Sequence, residues 1–319
     1  MRIPPRSELG VVVLGALLAL LAAREPFQQT SPGNPQRPAV KLGTNLVLVP
    51  TVVTDSNDRI VSGLARAHFE VYDEKVKQEI ALFSEEDSPL DVGIVFDLSG
   101  SMKGKINKAR EALKAFLDEG NADDLYFLIG FNDRTRLLQD STPSAEEILS
   151  KLTLVEPSGR TAVYDAVYLA LEKIRRGNRN RRALLLISDG QDNASRYTYS
   201  ELKSVVKESE AQIYALGIFG WGESHAERET GRSILEEITS LTGGRAFFPL
   251  NSVELQDVLT RIGIELRHQY ILGFYPSDRA ARGQWRQLKV KVNPPRGLPK
   301  LTVRAREGYL GRAVESPDN

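Results

Sequence analysis

Residues 92–106, VGIVFDLSGSMKGKI, join an uninterrupted apolar run to a cluster of small polar residues. The run ends on Asp97, and Ser99 and Ser101 follow at alternate positions around a glycine. A strand that is apolar on both faces is typical of a parallel sheet covered by helices on both sides. The stretch therefore predicts a buried strand that ends in one carboxylate and two hydroxyls, with a helix beginning a few residues later.

Residues 90–266 repeat this alternation of strand and helix. Further continuous apolar runs occur at residues 125–131, 183–188 and 213–219. One helical face after the first strand is formed by Ile106, Ala109, Leu113, Phe116 and Leu117. Later helices are predicted over residues 144–153, 162–175, 200–209, 232–241 and 253–266. The pattern predicts an α/β fold with a doubly wound, mostly parallel sheet, which is a Rossmann-like arrangement.

The segments on either side, residues 41–88 and 267–312, contain strand-like runs without a helical pattern. Each segment alone is too short for a stable core in the absence of disulfides. We therefore expect the two to pair into one small β-sandwich of immunoglobulin size, with the α/β domain of residues 90–266 inserted between them. Because proline cannot donate to a strand ladder, Pro50 is expected to place its run at an edge or a bulge.

The N-terminus has the pattern of an export signal. Arg2 and Arg6 precede a run of apolar or small residues from Leu9 to Ala23. This run fits a signal-peptide core better than a spanning helix, which needs ~20 residues, but leucine near the cleavage position leaves an uncleaved anchor open. We expect a signal peptide or anchor over 1–23, a Pro-rich linker over 24–40 and a tail over 313–319. The protein is predicted to be exported, as a periplasmic, cell-surface or secreted protein that contacts a membrane only through such an anchor.

The composition of the chain excludes some classes of protein. Lys+Arg and Asp+Glu number 42 each, whereas a dedicated nucleic-acid binder is normally basic, so no nucleic-acid partner is expected. The chain has no cysteine, which rules out disulfides and lipid attachment through cysteine. An exported protein of this kind must be stable through packing alone.

Several sites could begin with a strand and loop like that of residues 92–106. A phosphate-binding loop fails, because the two glycines enclose three residues and isoleucine follows the lysine. A nucleophile elbow fails, because Asp97 stands where glycine must precede Ser99. A turn that only caps the next helix stays open. A hard cation such as Mg²⁺ takes oxygen ligands, and Asp97, Ser99 and Ser101 offer three of them.

Two later loops should reach the same rim, because the carboxyl ends of parallel strands share one edge of the sheet. EPSGRTAVYDAV places Thr161 at the head of a helix, and LLLISDGQDN places Asp189 at the end of a buried strand. Together with Asp97, Ser99 and Ser101, in this order and on these elements, they resemble the metal-ion-dependent adhesion site of the von Willebrand factor type A domain. The resemblance covers residues 90–266, and the flanking segments are similar to those of exported bacterial VWFA-related proteins described from acidobacteria.

The resemblance implies a chemistry for these five residues. In that family the serines and the threonine coordinate Mg²⁺, or another divalent cation such as Mn²⁺ or Ca²⁺, through their hydroxyls. The two aspartates act directly or through water. One coordination position is left for a glutamate or aspartate carboxylate of a protein partner. The resemblance thus implies an exported, metal-dependent adhesion or scaffolding module that is not an enzyme.

Two other functions stay open at this point. A hydrolase would use the cation to activate water and would need a general base, for which Glu223 or His225 is the candidate. A structural scaffold would keep only a vestigial metal site.

Overall fold

The computed structural model describes residues 46–85, 87–153, 155–177, 179–219, 224–277, 283–295, 297 and 299–311. The predicted segments 1–23, 24–40 and 313–319 lie outside the described residues, as do residues 41–45 and Glu223. Within the described ranges, no helix is both long enough and apolar enough to span a membrane.

The described chain alternates strands and helices in its middle and has only strands and short turns at its two ends. The strands are β1 (Val47–Thr54), β2 (Phe69–Asp73), β3 (Val76–Gln78), β4 (Ile80–Ser84), β5 (Leu90–Asp97), β6 (Leu125–Phe131), β7 (Thr135–Thr142), β8 (Arg181–Ser188), β9 (Gln212–Gly217), β10 (Ala246–Phe247), β11 (Tyr270–Phe274), β12 (Trp285–Val292), β13 (Thr302–Ala305) and β14 (Gly308–Leu310). The α-helices are α1 (Ile106–Asp118), α2 (Ala145–Thr153), α3 (Val163–Arg175), α4 (Tyr199–Glu208), α5 (His225–Thr242) and α6 (Ser252–Arg267).

The middle part forms a six-stranded sheet in the order β10-β9-β8-β5-β6-β7. Its strands are parallel except β7, which is antiparallel to β6. The helices α1, α2 and α6 cover one face of the sheet, and α3, α4 and α5 cover the other. β5 lies between β6 and β8, so the strand order reverses at its carboxyl end, which is where ligands bind in sheets of this kind. The predicted fold class is confirmed.

Strands from both ends of the chain share two antiparallel sheets. One sheet has the order β13-β1-β11-β4 and the other has the order β14-β12-β2-β3. Their apolar faces enclose a common core that includes Val49, Val71, Leu272 and Leu288. Because β1 and β2 pair with β11 and β12, neither end of the chain completes a sheet alone.

The expectation for Pro50 needs a correction. β1 lies between two strands and is not an edge strand. However, β13 pairs with β1 only from Thr51 onward, while Pro50 is opposite Ile271 of β11. The missing N–H of Pro50 therefore costs no bond on the β13 side.

Two other local predictions differ from the structure. The helix predicted over 232–241 begins earlier, at His225, because Ser224 and Glu227 form a capping box. β7 was not predicted, since its sequence TRLLQDST lacks a clear alternation of apolar and polar residues. The register of its pairing with β6 shifts twice, so side chains do not keep one face throughout.

The β-sandwich joins the α/β part at the amino end of β5. The chain passes from β4 into β5 and from α6 into β11 at this end. Arg304 of β13 pairs with the buried Glu265 of α6 at 2.5 Å, and Asp58, in the turn after β1, pairs with Arg245 before β10 at 2.6 Å. The carboxyl end of β5, where the predicted metal site lies, is therefore the end away from the sandwich.

Candidate functional site

The chain turns sharply after β5, and the turn brings two serine hydroxyls together. Asp97 ends β5, and a single 3-10 turn, Gly100–Met102, precedes α1. Ser99 Oγ and Ser101 Oγ lie 2.9 Å apart. Asp97 and Ser99 are buried, whereas Ser101 is exposed. The hydroxyl pair thus lies at the boundary between the core and the solvent.

Both carboxylate oxygens of Asp97 accept hydrogen bonds. The backbone N–H of Ser99 donates to Oδ1 at 2.8 Å, and the hydroxyl of Ser188 donates to Oδ2 at 2.7 Å. Burial, followed by the negative charge of Asp189, raises the pKa of Asp97 from its ordinary 3.8 to about 6. Hydrogen bonds from Ser188 and Ser99 lower the pKa but do not cancel this rise. The surroundings of Asp97 therefore disfavour the charged form of its side chain.

Asp97 and Asp189 are both buried, at 0% and 1% exposure. Within the described ranges, neither of them has an arginine, lysine or histidine partner in an ion pair. Other buried carboxylates in this chain do have one, such as Asp73 with Arg286 at 2.9 Å. Two neighbouring buried carboxylates without a positive charge are unfavourable. A divalent cation fits this arrangement, because its positive charge would offset their repulsion.

The turn after β8 brings α5 close to Asp189. Gly190 has a φ of +78°, and a Cβ there would lie 2.7 Å from the Gly231 carbonyl oxygen of α5. A Cβ on Gly231 would in turn lie 2.3 Å from the Asp189 carbonyl oxygen. Glycine at both positions permits this approach. The Asp189 side chain is itself oriented by the Gln191 N–H, which donates to Oδ1 at 3.1 Å.

The backbone of Thr161, which is 4% exposed, is fixed on both sides by Asn193. The Thr161 N–H donates to Asn193 Oδ1 at 2.8 Å. The N–H groups of Asn193 and Ala194 both donate to the Thr161 carbonyl oxygen at 3.0 Å. The loop that follows Asp189 therefore sets the position of Thr161.

The loop before Thr161 is also bonded to the serine turn. The Gly100 N–H donates to the Gly159 carbonyl oxygen at 3.0 Å, and the Ser158 N–H donates to the Leu98 carbonyl oxygen at 2.9 Å. The structure thus brings together the three loops that contain the five predicted residues. Metal binding by Asp97, Ser99, Ser101, Thr161 and Asp189 stays a prediction.

A second set of hydrogen bonds fixes the start of α3 to the loop after Asp189. Asp192 Oδ2 accepts the Tyr164 N–H at 3.1 Å, and Ser195 Oγ accepts the Asp165 N–H at 3.1 Å. Asp165 Oδ1 accepts the Arg196 N–H at 2.9 Å. These acidic side chains satisfy backbone donors of loops and of a helix end, and they are therefore engaged in holding the site together.

The donor set is poor in the side chains that hold transition metals. Within the described ranges, no three His, Cys, Asp or Glu side chains are grouped so as to hold an ion. A cation here would depend on hydroxyl ligands besides the two aspartates. Oxygen ligands of this kind suit Mg²⁺, Mn²⁺ or Ca²⁺.

The histidine considered as the base of a hydrolase lies apart from these contacts. His225 is the exposed first residue of α5, and the described residues include no hydrogen bond between it and Asp97 or Asp189. Of the other histidines, His68 contacts the Asn293 carbonyl oxygen in the sandwich at 3.0 Å, and His268 directly follows α6.

Ser188 is a residue of the site that was not predicted from the sequence. Its hydroxyl donates to Asp97 and accepts the Gly190 N–H at 3.1 Å, so it joins β5 to the turn after β8. The signal was a serine directly before Asp189 at the end of an apolar run. The contact of this serine with Asp97 can be inferred only once the strand order is known, because β8 then lies beside β5.

The family model described as the von Willebrand factor type A domain matches residues 91–261, which is more than half of the chain. Inter-alpha-trypsin inhibitor heavy chain H4 of Sus scrofa is 29% identical over 145 residues, covering 42% of this chain and 16% of that protein. Heavy chain H4 of Bos taurus is 28% identical over 174 residues, covering 50% of this chain and 18% of that protein. The chain thus spans less than a fifth of the length of these relatives.

Solved structures with a similar fold include a von Willebrand factor type A protein from Catenulispora acidiphila. Its TM-score is 0.48 at 12% identity, and the match covers 87% of this chain and 76% of that chain. The conserved hypothetical protein BatB from Bacteroides thetaiotaomicron has a TM-score of 0.46 at 18% identity, covering 56% of this chain and 98% of that chain.

Proposed function

The chain belongs to the von Willebrand factor type A domain family, and on that premise we propose that it is an exported protein-binding module that acts through a divalent cation. Domains of this family generally mediate protein–protein interactions. In this proposal the hydroxyls of Ser99, Ser101 and Thr161 hold Mg²⁺, Mn²⁺ or Ca²⁺, with Asp97 and Asp189 beside it. The bound cation would supply an electrophilic centre for an acidic side chain of a partner.

The observation that supports the proposal most is the pair of buried carboxylates. Asp97 and Asp189 are close enough for one to raise the pKa of the other, and they lie beside two hydroxyls in contact. A cation at this place would offset their repulsion. Because three of its proposed ligands are neutral hydroxyls, it would keep enough positive charge to attract an external carboxylate. Ser101 is exposed, so a partner could reach the site from solvent.

We further propose that residues 41–88 and 267–312 form one domain that supports the α/β domain of residues 90–266. The pairing of β1 with β11 and of β2 with β12 supports this division. Export, with residues 1–23 as signal peptide or anchor, rests on the sequence pattern alone. The sandwich lies at the end of the sheet away from the rim, so the proposed binding loops face outward.

Calorimetric titration of the full chain with Mg²⁺ tests the metal site. Thr161→Val removes the hydroxyl while nearly keeping the volume of the side chain, and Thr161→Ser keeps the hydroxyl. We expect valine to lower Mg²⁺ affinity at least about tenfold and serine to retain most of it. The same change at Thr51, which is buried in the sandwich, is the control and should leave the affinity unchanged. If the wild-type chain gave no binding heat, a structural scaffold with a vestigial site would replace this proposal.

A further inference from the structure

Four basic side chains lie in the loops around the predicted metal site, and all four are exposed: Lys103, Arg134, Arg160 and Arg196. We call these four the basic collar. Lys103 follows the serine turn directly, and Arg160 precedes Thr161. The turn that contains Arg134 is bonded to the loop of Arg160, because Asn132 Nδ2 donates to the Ser158 carbonyl oxygen at 3.0 Å. The collar thus belongs to the same connected rim as the site.

Three acidic side chains of these loops, Asp133, Asp165 and Asp192, accept hydrogen bonds within the protein, whereas Glu156 is exposed. Asp133 accepts the Arg160 backbone N–H at 3.1 Å and the Arg160 Nε–H at 2.9 Å, and Arg160 lowers the pKa of the Asp133 carboxyl. Asp192 accepts the Ser195 N–H at 3.1 Å and the Ser195 hydroxyl at 2.5 Å, in addition to the Tyr164 N–H. Asp165 accepts two backbone N–H groups. These three carboxylates are therefore already engaged by donors of the protein itself.

Most donors of the collar have no partner among the described residues. The side chain of Arg196 is 91% exposed, and its contact with Asp165 is a long one of 3.4 Å. The side chains of Lys103 and Arg134 make no hydrogen bond or ion pair in the described part of the chain. Tyr197, next to Arg196, stacks on Tyr168 of α3 with ring centroids 4.1 Å apart. This stacking holds the loop in place, which lowers the entropy lost on binding.

Resting on the proposed function, we propose that the partner presents an acidic segment of polypeptide, in which one carboxylate meets the cation and neighbouring carboxylates meet the collar. Guanidinium groups bind carboxylates through paired N–H donors, and exposed positive charge speeds the encounter with an acidic partner. Coordination of a single carboxylate by the cation would not distinguish a partner from any other protein with an exposed glutamate. The collar adds that selectivity through charge complementarity.

The test uses the full chain and two fluorescent synthetic peptides, with Mg²⁺ or with a chelator. One peptide has a single glutamate among neutral residues, and the other has that glutamate within a run of aspartates and glutamates. Fluorescence anisotropy gives both affinities at low and high salt. With Mg²⁺ at low salt we expect the acidic peptide to bind at least about tenfold more tightly, and this advantage should shrink as salt screens the charges.

Charge reversal then tests the collar itself. Arg134→Glu and Arg196→Glu should each lower the affinity for the acidic peptide by roughly three- to tenfold. The affinity for the single-glutamate peptide should change by less than about twofold. Arg175→Glu is the matched control, because Arg175 is 71% exposed but lies in the last turn of α3, ~20 Å along the helix from the rim. It should leave both affinities unchanged.

Each outcome decides between the inference and the function on which it rests. Equal, Mg²⁺-dependent affinities for the two peptides would overturn the proposed role of the collar and would leave the metal-dependent function standing. Equal weakening by Arg175→Glu would also overturn the collar. Binding of the acidic peptide that the chelator does not reduce, but that Arg134→Glu and Arg196→Glu do, would support the collar and count against the metal. Failure of the acidic peptide to bind in all conditions would overturn the inference.

Discussion

Replacing Asp97 by asparagine should stabilise the metal-free protein at neutral pH, although the side chain is fully buried and hydrogen bonded. The pKa of Asp97 is raised from 3.8 to about 6. The folded state therefore binds this proton more tightly than the unfolded state. The stability associated with the neutral carboxyl is fully present below pH 3.8 and is lost as the pH rises to about 6.

The size of the effect follows from the same shift. A difference of about two pKa units corresponds to about 3 kcal/mol of unfolding free energy at neutral pH. Asparagine keeps the Oδ1 acceptor for the Ser99 N–H but loses the acceptor for the Ser188 hydroxyl, at a cost of about 1 kcal/mol. The metal-free variant should thus be more stable than the wild type by about 2 kcal/mol at pH ~7 and less stable by about 1 kcal/mol at pH ~4.

Urea unfolding in the presence of a chelator, at a series of pH values, measures this difference. Subtracting the wild-type curve from the variant curve removes the contribution of all other titrating groups. Asp118→Asn is the control, because the side chain of Asp118 is 56% exposed and its replacement should shift stability by less than about 0.5 kcal/mol at every pH.

Addition of Mg²⁺ completes the experiment. A cation bound at a hundredfold excess over its Kd adds about 2.7 kcal/mol to the stability of the wild type, and Asp97→Asn should lose most of that gain. A variant that is less stable than the wild type at neutral pH without metal, by the same amount as at acid pH, would refute the reasoning about the buried charge.

Three other changes probe the frame around the site. Asn193→Ala should lower Mg²⁺ affinity by roughly tenfold, because the Thr161 N–H loses its hydrogen-bond acceptor. Asn193→Asp keeps an acceptor there and should lower the affinity less. Equal losses of affinity in titration calorimetry would contradict this role of Asn193. Asp73→Ala should destabilise the protein by about 3–5 kcal/mol in urea unfolding, since it leaves the buried Arg286 guanidinium unpaired, and a loss below about 1 kcal/mol would count against it. Removal of residues 267–319 should make β1–β4 sensitive to protease, because β1 and β4 pair with β11 and β2 pairs with β12. Unchanged protection would speak against a shared domain.

The sequence was sufficient to predict the α/β part because its apolar pattern is strong. β5, β6 and β8 are buried along nearly their whole length, and such runs are distinct from the alternating strands of the sandwich. α1 buries four of the five residues that periodicity placed on one face. The start of α5 was missed because its first turns are polar and exposed, so only the capping box marks them.

The residues that support the candidate site were less predictable from the sequence than the motifs proposed to bind the cation. The five residues proposed to hold the cation stand in short motifs that sequence alone reveals. The contacts of Ser188 with Asp97 and of Asn193 with Thr161 join residues 91 and 32 positions apart in the chain. Such contacts depend on which strands become neighbours and on how the loops at their ends meet. A pattern of apolar residues does not contain that information.

The frame of the site and its electrostatics explain each other. Asp97 and Asp189 would relax toward solvent if their loops were free, because solvent exposure would relieve their repulsion. Besides the hydrogen bonds that the carboxylates themselves accept, their loops are joined by the Gly100 N–H, which donates to the Gly159 carbonyl oxygen, and by the Thr161 N–H, which donates to Asn193. The stability of the doubly wound core thus maintains a cluster that is unfavourable by itself. In the proposed function, a divalent cation relieves the repulsion between Asp97 and Asp189 when it binds, and this relief contributes to the affinity for the metal. The affinity thus depends on the same rigid loops that hold the basic collar in place for the partner.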